Sequence, residues 1–314
     1  MNDALRILDK LLKKRGYTIK KHPKYNLLPL KNFQNNPLLK RTYDTFDKKE
    51  KTILSDNISS LNICLRTCIN DKRAGHSYNE LTGVATDQHL LKCIRSLIIS
   101  INEAVNNNQK IKLTVFDDRS DNASLKKIND LLNIAKCDWE IIETKNTGQG
   151  SSLHEHFSFA RDKNSLFYFC EDDYLYTVSA INEMINFYKD IYEETSAHLL
   201  IHPQEHELIY SQINYPSYIL LGEHRRWRTI SHTTHTFFTH SSVVDKYWKY
   251  FINTKYVGNK KKRHLGAEKK TTDNLFHHIP GFSPIPAVAV HLQTENTLPP
   301  YFDWQEVWNT IGDS

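Results

Sequence analysis

The sequence of 314 residues contains no apolar run of transmembrane length, and its N-terminus lacks the apolar core of a signal peptide. No two of its five cysteines form a CxxC pair; they are Cys64, Cys68, Cys93, Cys137 and Cys170. Because most of them lie in apolar surroundings, we expect buried, reduced thiols rather than a disulfide framework. These absences argue against a membrane-spanning chain and favour a cytoplasmic location.

The chain also lacks a strong excess of either charge. Its 41 Lys and Arg against 36 Asp and Glu give a formal net charge of +5. Such a balance suits an anionic ligand such as a nucleotide, but it is too small to indicate nucleic acid binding. The densest basic run, at residues 260–264, has no interleaved aromatic side chains on which bases could stack. We therefore expect no nucleic acid partner.

The first 55 residues differ in pattern from the rest of the chain. Residues 4–14 place four leucines on one face of a basic amphipathic helix, and residues from about 20 to 55 form a polar, proline-containing connector. The helix is expected to pack on its own domain or on a partner. A peripheral contact with the inner face of a membrane is the alternative.

From residue 56 onward, short apolar runs alternate with helical patterns. Strands are predicted at residues 61–67, 111–116, 139–143 and 166–170, and helices at residues 87–106, 124–134 and 152–161. This order predicts an α/β fold with a mostly parallel sheet flanked by helices. After about residue 190 the periodicity weakens, which is typical of a loop-rich region that shapes a substrate site.

Three consecutive carboxylates, Glu171, Asp172 and Asp173, directly follow the apolar run at residues 166–170. Ligands of open α/β sheets bind at the carboxyl ends of the strands. Adjacent carboxylates repel one another unless a cation or hydrogen-bond donors neutralise them, and Mg²⁺ or Mn²⁺ commonly joins such groups to substrate phosphates. The triplet therefore predicts a divalent metal site, with a solvated acidic turn as the alternative.

Four segments in this order resemble the glycosyltransferases of GT-A fold, most of all the inverting family 2. They are CLRT at 64–67 followed by CIRSL at 93–97, VFDDRSD at 115–121, NTG at 146–148 and EDD at 171–173. One departure is Leu153-His154, where the family often has an Arg-Asn pair; His154, Arg161 or Arg66 could supply the missing positive charge.

The resemblance implies a nucleotide-diphosphate sugar as donor, Mn²⁺ or Mg²⁺ as cofactor, and a hydroxyl acceptor on a glycan, a lipid-linked molecule or another compound. It implies Asp173 as a metal ligand and Glu171 in a supporting role at the metal. The residues expected to bind the donor are Arg66, Thr67, Asp117, Asp118, Asn146, Gly148 and Asp172. For Asp117 and Asp118, turn-forming hydrogen bonds are the structural alternative.

Inverting transfer requires a general base for the acceptor hydroxyl. Asp273 is the best-placed late carboxylate, although it could instead lie near a helix N-terminus, and Glu268 is the second candidate. His291 ends an apolar run at residues 286–290, and several GT-A enzymes complete their metal site with a late histidine at a strand end. We therefore expect His291 to be a third metal ligand, with a core or surface histidine as the alternative.

The sequence thus predicts a metal-dependent glycosyltransferase in which residues 1–55 form an extension, residues 56–190 bind the nucleotide sugar and residues 191–314 bind the acceptor. A sugar-phosphate nucleotidyltransferase would share the fold, but the glycine-rich phosphate loop of such enzymes is missing after the first strand. A non-catalytic carbohydrate- or nucleotide-binding protein on a degenerate GT-A scaffold is the other alternative.

Overall fold

The computed structural model describes residue 12 and residues 37–46, 56–70, 79–205, 217–256 and 260–312. The chain divides into two compact units, Met1–Asn35 and Asn36–Ser314, and the fold given below is that of the second unit. Apart from residue 12, the amphipathic helix predicted at residues 4–14 lies outside the described residues. No helix in the described part of the chain is long and apolar enough to cross a membrane.

The strands of the described residues begin and end as follows: β1 Ser60–Thr67, β2 Lys110–Asp117, β3 Asp138–Glu143, β4 Leu166–Glu171, β5 Tyr174–Tyr176, β6 Leu200–Ile201, β7 Ile219–Leu221, β8 Arg226–Ile230, β9 Phe237–His240, β10 Gly281–Ile285 and β11 Ala289–His291. Nine of them form one sheet in the order β3-β2-β1-β4-β9-β6-β10-β8-β7, while β5 and β11 form a separate antiparallel pair. Strands β3, β2, β1 and β4 are parallel, whereas β9 runs antiparallel to β4 and β6.

The α-helices of the same residues are α1 Pro37–Phe46, α2 Asn79–Thr82, α3 Thr86–Asn106, α4 Asn122–Leu132, α5 Gln149–Phe159, α6 Ala180–Thr195, α7 Ser241–Lys246, α8 Trp248–Phe251 and α9 Trp304–Thr310. Short 3-10 helices at Lys260–Leu265, Glu268–Lys270 and Thr272–His277 precede β10. Each of the three predicted helices is present within a few residues, as are the four predicted strands. Residues 37–46, predicted as part of a connector, instead form α1, since Pro37 suits the first turn of a helix.

Two apolar clusters cover the two faces of the sheet because side chains alternate along each strand. On β1, Ile63 and Leu65 belong to the cluster that contains the buried face of α3, whereas Cys64 belongs to the cluster with Phe157 of α5 and Phe169 of β4. Burying each large apolar side chain stabilises the fold by about 1.5 to 3 kcal/mol. The mostly parallel, helix-flanked core agrees with the predicted GT-A fold, and the antiparallel strands lie in the C-terminal part of the chain.

Candidate active site

The carboxyl ends of β1, β2 and β4 meet at one edge of the sheet. Thr67 pairs with Asp117 in the register of β1 and β2, and Arg66 pairs with Glu171 in the register of β1 and β4. The backbone N–H of Asp118 donates to the Thr67 carbonyl at 2.8 Å, so the loop after β2 is held against the end of β1. Most of the predicted donor-binding residues are therefore neighbours.

The first two carboxylates of the acidic triplet bond to β1 and to the loop that follows it. Glu171 forms an ion pair with the guanidinium of Arg66, and Arg66 also donates to the Ser152 hydroxyl in the first turn of α5 at 3.2 Å. The Asp172 carboxylate accepts from the backbone N–H of Cys68 at 3.0 Å. Asp172 is thus fixed against the loop after β1, and Glu171 is neutralised by the protein's own cation.

The third carboxylate lies beside the histidine predicted to complete the metal site. Asp173 Oδ2 is 3.2 Å from His291 Nε2, and β11 pairs with β5 so that His291 is opposite Tyr174. The His291 and Tyr174 rings stack with centroids 4.8 Å apart, and the His291 backbone N–H donates to Gln204. His291 therefore faces Asp173, as a shared metal ligand would have to do. Its ligation of a metal stays a prediction.

The donor set at this point fits a hard divalent cation that also binds a substrate. Asp173 and His291 offer an oxygen and a nitrogen close together, and both side chains are largely buried. Mg²⁺ and Mn²⁺ are usually held by one or two protein carboxylates, with substrate phosphates and water completing the shell. Glu171, predicted as a further ligand, contacts Arg66 instead, so this geometry brings together two of the three predicted metal ligands.

Asp117 is buried, and its carboxylate forms the hydrogen bonds that hold the turn after β2. Its carboxylate accepts from the Thr67 hydroxyl at 2.9 Å and from the backbone N–H of Ser120 at 3.0 Å, and the Ser120 hydroxyl donates to it as well. Ser120 in turn accepts from the backbone N–H of Ile69 at 2.8 Å. These contacts are those of the turn-forming alternative, and they tie the loops after β1 and β2 together. Contact of Asp117 with a nucleoside stays a prediction.

Asp118 holds the Asn-Thr-Gly loop that precedes α5. Its Oδ2 accepts from the backbone N–H of Gly148 at 2.7 Å, and its Oδ1 lies 3.4 Å from the Thr144 hydroxyl. Gly148 has φ of 104°, a conformation that favours glycine, which explains the glycine of this motif. The Asn146 side chain is exposed beside this loop, where a ligand could reach it.

A second wall of the site comes from the segment at residues 231–236. The Thr234 hydroxyl lies 2.9 Å from the hydroxyl of Tyr174, the residue after the acidic triplet. Thr233 Oγ1 lies 3.0 Å from His202 Nδ1, and the same nitrogen lies 2.8 Å from the Thr236 carbonyl. This segment is thus held next to Tyr174, which follows Asp173 in the chain. It contains two histidines, His232 and His235.

Each of the two candidate bases is paired with one of those histidines. Asp273 Oδ2 lies 2.9 Å from His232 Nδ1, and its Oδ1 accepts from the backbone N–H of Thr233 at 3.3 Å. Hydrogen bonding to Asp273 raises the pKa of His232. Asp273 does lie in the first turn of the 3-10 helix Thr272–His277, as the alternative expected. Its hydrogen bonds to His232 and Thr233, however, join it to the 231–236 segment and do not cap that helix.

Glu268, the second candidate base, is more open to solvent. Its carboxylate lies 3.4 Å from Nδ1 of the buried His235, whose Nε2 lies 3.2 Å from the Thr271 hydroxyl. Burial lowers the pKa of His235, and the charge of Glu268 opposes that shift. The side chain of Glu268 is 37% exposed against 18% for Asp273, so Asp273 is the better shielded of the two.

Of the three alternative cations, Arg66 lies at the site. Arg161 pairs with Asp245 of α7 at 3.5 Å and covers the Trp248 ring, at the far end of α5. His154 packs against the same Trp248 ring, and burial lowers the pKa of its imidazole. Neither of these two residues contacts the acidic triplet through these interactions.

The pairing of both candidate bases with histidines was missed from the sequence, as was Tyr256. The Tyr256 hydroxyl donates to the Gln149 side chain at 3.2 Å, and its ring fills the space that a Cβ on Gly150 or Gly266 would need. The sequence signal was present as two small residues, one at the start of α5 and one near Glu268. It could not be interpreted without knowing that these segments meet.

Comparison with known proteins identifies the family of the chain. The family model described as glycosyl transferase family 2 matches residues 77–278. No curated protein matches the chain.

Three solved structures give the following similarities. Residues 1–349 of S. aureus TarS are similar with 10% identity and a TM-score of 0.43, covering 72% of this chain and 57% of that one. A UDP-glucose pyrophosphorylase complexed with UDP-glucose is similar with 12% identity and a TM-score of 0.43, covering 79% and 97%. The inositol-1-phosphate CTP transferase of T. maritima is similar with 13% identity and a TM-score of 0.38, covering 82% and 97%.

This chain spans between 36% and 60% of the length of the TarS chains that it matches. The family model, by contrast, matches well over half of the 314 residues, and the resemblance expected from the four sequence motifs is confirmed. The chain belongs to glycosyl transferase family 2.

Proposed function

We propose that the protein is a metal-dependent, inverting glycosyltransferase that moves a sugar from a nucleotide-diphosphate donor to a hydroxyl acceptor. The observation that carries the proposal is the pairing of Asp173 with His291 at 3.2 Å at the carboxyl edge of the parallel strands. A buried carboxylate and imidazole at this edge would supply two metal ligands, and the ends of β1 and β2, which carry two of the family motifs, meet the acidic triplet at the same edge.

Asp173 and His291 would hold Mn²⁺ or Mg²⁺, with the remaining positions left to donor phosphates and water. When bound, the ion would act as a Lewis acid that stabilises the negative charge of the leaving nucleoside diphosphate. Glu171 would support the site indirectly, because it fixes Arg66 beside the metal ligands.

Arg66 is the cation that would contact the donor phosphates. Its guanidinium bonds to Glu171 and to Ser152 in the first turn of α5, where backbone N–H groups favour an anion. The buried Nε of Arg66 has no hydrogen-bond partner among the described residues. Arg66 would thereby replace the Arg-Asn pair that the chain lacks.

The nucleoside would lie between the loops that follow β1 and β2. Thr67, Asp117 and Asp118 are buried there and joined by hydrogen bonds. Asp118 also supports the loop that contains Asn146 and Gly148. In this proposal the two aspartates act partly through the loops they hold in place, and the exposed edge of those loops contacts the base and ribose.

Asp273 would take the proton of the acceptor hydroxyl while that oxygen attacks the anomeric carbon and the bond to the diphosphate breaks. His232 supports this assignment because it orients the Asp273 carboxylate, and its own segment contacts Tyr174 through Thr234. Glu268 is the alternative base, held by His235. A cytoplasmic location, with or without contact with the inner face of a membrane, belongs to the same proposal and rests on the sequence alone.

Binding and hydrolysis of a panel of nucleotide sugars, measured with Mn²⁺, Mg²⁺ or a chelator, test this function. We expect one donor to bind in a metal-dependent way and to be hydrolysed slowly with water as acceptor. Tight donor binding without hydrolysis or transfer would favour a non-catalytic binding protein. Synthesis of a nucleotide sugar from a sugar phosphate and a nucleoside triphosphate would favour the nucleotidyltransferase alternative.

A further inference from the structure

A second cluster of metal-ligating side chains lies at the other edge of the sheet. Asp56 precedes β1, His198 lies between α6 and β6, and His240 ends β9, where it is paired with Leu166 at the start of β4. One potential ligand atom from each of the three lies within 4.8 Å of the other two. The start of β4 is the opposite end of the strand from Glu171, so this cluster is separate from the candidate active site.

The imidazole of His198 has a hydrogen-bond partner at each ring nitrogen and stacks against two other rings. Its Nε2 is 2.8 Å from Asp56 Oδ2, and its Nδ1 is 2.8 Å from the Tyr188 hydroxyl. The ring stacks between those of Tyr192, at 4.9 Å, and His240, at 4.6 Å. A hydroxyl on Nδ1 is the kind of partner that orients a metal-ligating histidine through its other nitrogen.

His240 is almost completely buried and only half satisfied. Its Nδ1 lies 2.8 Å from the Ser242 hydroxyl and 3.2 Å from the Ser242 backbone nitrogen. Its Nε2 makes no hydrogen bond of good geometry among the described residues, although the side chain is only 1% exposed and the Asn57 backbone lies near enough to raise its pKa. A buried, unsatisfied ring nitrogen requires an explanation, and a bound ion or water is the usual one.

We propose that Asp56, His198 and His240 form a zinc site that joins three chain segments at this edge of the sheet. Two imidazoles and a carboxylate are common zinc ligands, and four-coordinate zinc places its ligand atoms about 3 to 4 Å apart. The present spacing of at most 4.8 Å therefore needs to close by about 1 Å. The His240 ring, now stacked parallel to His198 within 4°, also needs to turn so that the nitrogen lone pairs of both rings point at one ion. The fourth position is left to water or to the Ser242 hydroxyl, which is 3.0 Å from His198 Nε2.

The two sites differ in the share of nitrogen ligands. This cluster has two imidazoles and one carboxylate, whereas the candidate active site has one of each and leaves its remaining positions to phosphate and water oxygens. Imidazole nitrogens suit zinc better than Mg²⁺. Burial lowers the pKa of His240 to about 4 and also lowers the pKa of His198, which favours the neutral imidazoles that metal ligation requires. The Asp56 and His198 side chains are 31% and 16% exposed, which leaves an ion a path from solvent.

Zinc binding would stabilise the fold by mass action, because the three ligands come from distant parts of the chain and converge only in the folded state. The test uses full-length protein freed of metal with a chelator, in wild-type form and as Asp173→Asn, which removes a carboxylate of the active site. Zinc stoichiometry by calorimetry and the shift of the melting temperature on adding Zn²⁺ or Mg²⁺ are measured for both proteins.

We expect one zinc ion per chain in folded Asp173→Asn and at least one in the wild type. The melting temperature should rise with zinc in both proteins, with little response of this site to Mg²⁺. Asp56→Asn and His198→Gln should each lower zinc affinity at least about tenfold, as loss of a ligand or its close support does. His224→Gln, a change of an exposed histidine, is the matched control and should bind zinc like the wild type. Circular dichroism before metal addition establishes that each variant is folded.

Two outcomes would overturn the proposal. One is the absence of zinc binding by folded Asp173→Asn protein, which would make the cluster a hydrogen-bonded Tyr188–His198–Asp56 network only. The other is unchanged zinc affinity in both Asp56→Asn and His198→Gln. Neither result depends on glycosyltransferase activity, so the proposed function is tested separately.

Discussion

Replacement of Asp273 by Asn should remove catalysis and leave the fold and the donor site intact. The amide oxygen of Asn can still accept from the Thr233 backbone N–H, and its NH₂ group can donate to a neutral His232. The variant therefore keeps both contacts of the carboxylate but cannot take a proton. A general base contributes roughly 10²- to 10⁴-fold to turnover, which corresponds to about 3 to 5.5 kcal/mol of transition-state stabilisation.

The assay is Mn²⁺-dependent hydrolysis of the preferred nucleotide sugar, in which water replaces the acceptor and still needs a base. We expect kcat of Asp273→Asn to fall by at least about a hundredfold while the donor Kd stays within about twofold, since the base acts mainly in the transition state. Glu268→Gln is the matched control and should keep most of the activity.

A titration by NMR provides a second readout of the same pair. Hydrogen bonding to Asp273 raises the pKa of His232, so Asp273→Asn should lower it. The ion pair of protonated His232 with Asp273 should stabilise the fold below the ordinary pKa of histidine. This contribution to the free energy of unfolding is lost as pH rises through the raised pKa of His232. An Asp273→Asn enzyme with near wild-type kcat would refute the assignment, and an inactive Glu268→Gln in the same experiment would transfer the role to Glu268.

Three further changes test other parts of the site and the core. His291→Gln, which keeps much of the side-chain volume, should raise the Mn²⁺ concentration needed for half-maximal activity by about tenfold or more; an unchanged metal requirement would remove His291 from the metal shell. Asp118→Ala should weaken binding of the free nucleotide as well as of the nucleotide sugar, because it releases the Gly148 N–H; loss of turnover with unchanged nucleotide affinity, measured by calorimetry, would contradict this. Burial lowers the pKa of His156 to about 3, so between pH 6.5 and 3 the unfolded state binds the extra proton. The free energy of unfolding should therefore decrease as the pH is lowered from 6.5 to 3, by up to about 5 kcal/mol. If His156 is the cause, denaturant titrations of His156→Gln should show a free energy of unfolding that depends less on pH over this range.

The parallel half of the sheet and its strand ends could be predicted because each strand is a short apolar run that ends in polar residues. The run before Glu171 is the clearest case, and the structure has β4 ending at that residue. The helices of this half followed from their 3.6-residue periodicity. Helix α1 was missed because its sequence is mostly polar and follows a proline-containing stretch, so the local pattern favoured a connector over a helix.

The contacts within the site could be predicted only in part. The approach of His291 to Asp173 was expected from the resemblance, because several GT-A enzymes complete their metal site with a late histidine at a strand end. The β5–β11 pairing brings the two residues together. The pairing of Glu171 with Arg66 could not be predicted, because it depends on the register between β1 and β4. The same holds for the pair formed by His232 and Asp273. Residues 41 positions apart meet through the packing of irregular segments, for which the sequence carries no periodic signal.

The central claim is that Asp173 anchors a divalent metal at the donor site, and one measurement tests it most directly. Calorimetric titration of the preferred nucleotide sugar into wild type, Asp173→Asn and the exposed-surface control Asp130→Asn, each with Mn²⁺ and with chelator, gives the donor Kd and its metal dependence. We predict that the wild type and Asp130→Asn bind the donor tightly only with Mn²⁺, and that folded Asp173→Asn loses this dependence and most of its affinity. Donor binding by Asp173→Asn with wild-type affinity and wild-type metal dependence would contradict the account.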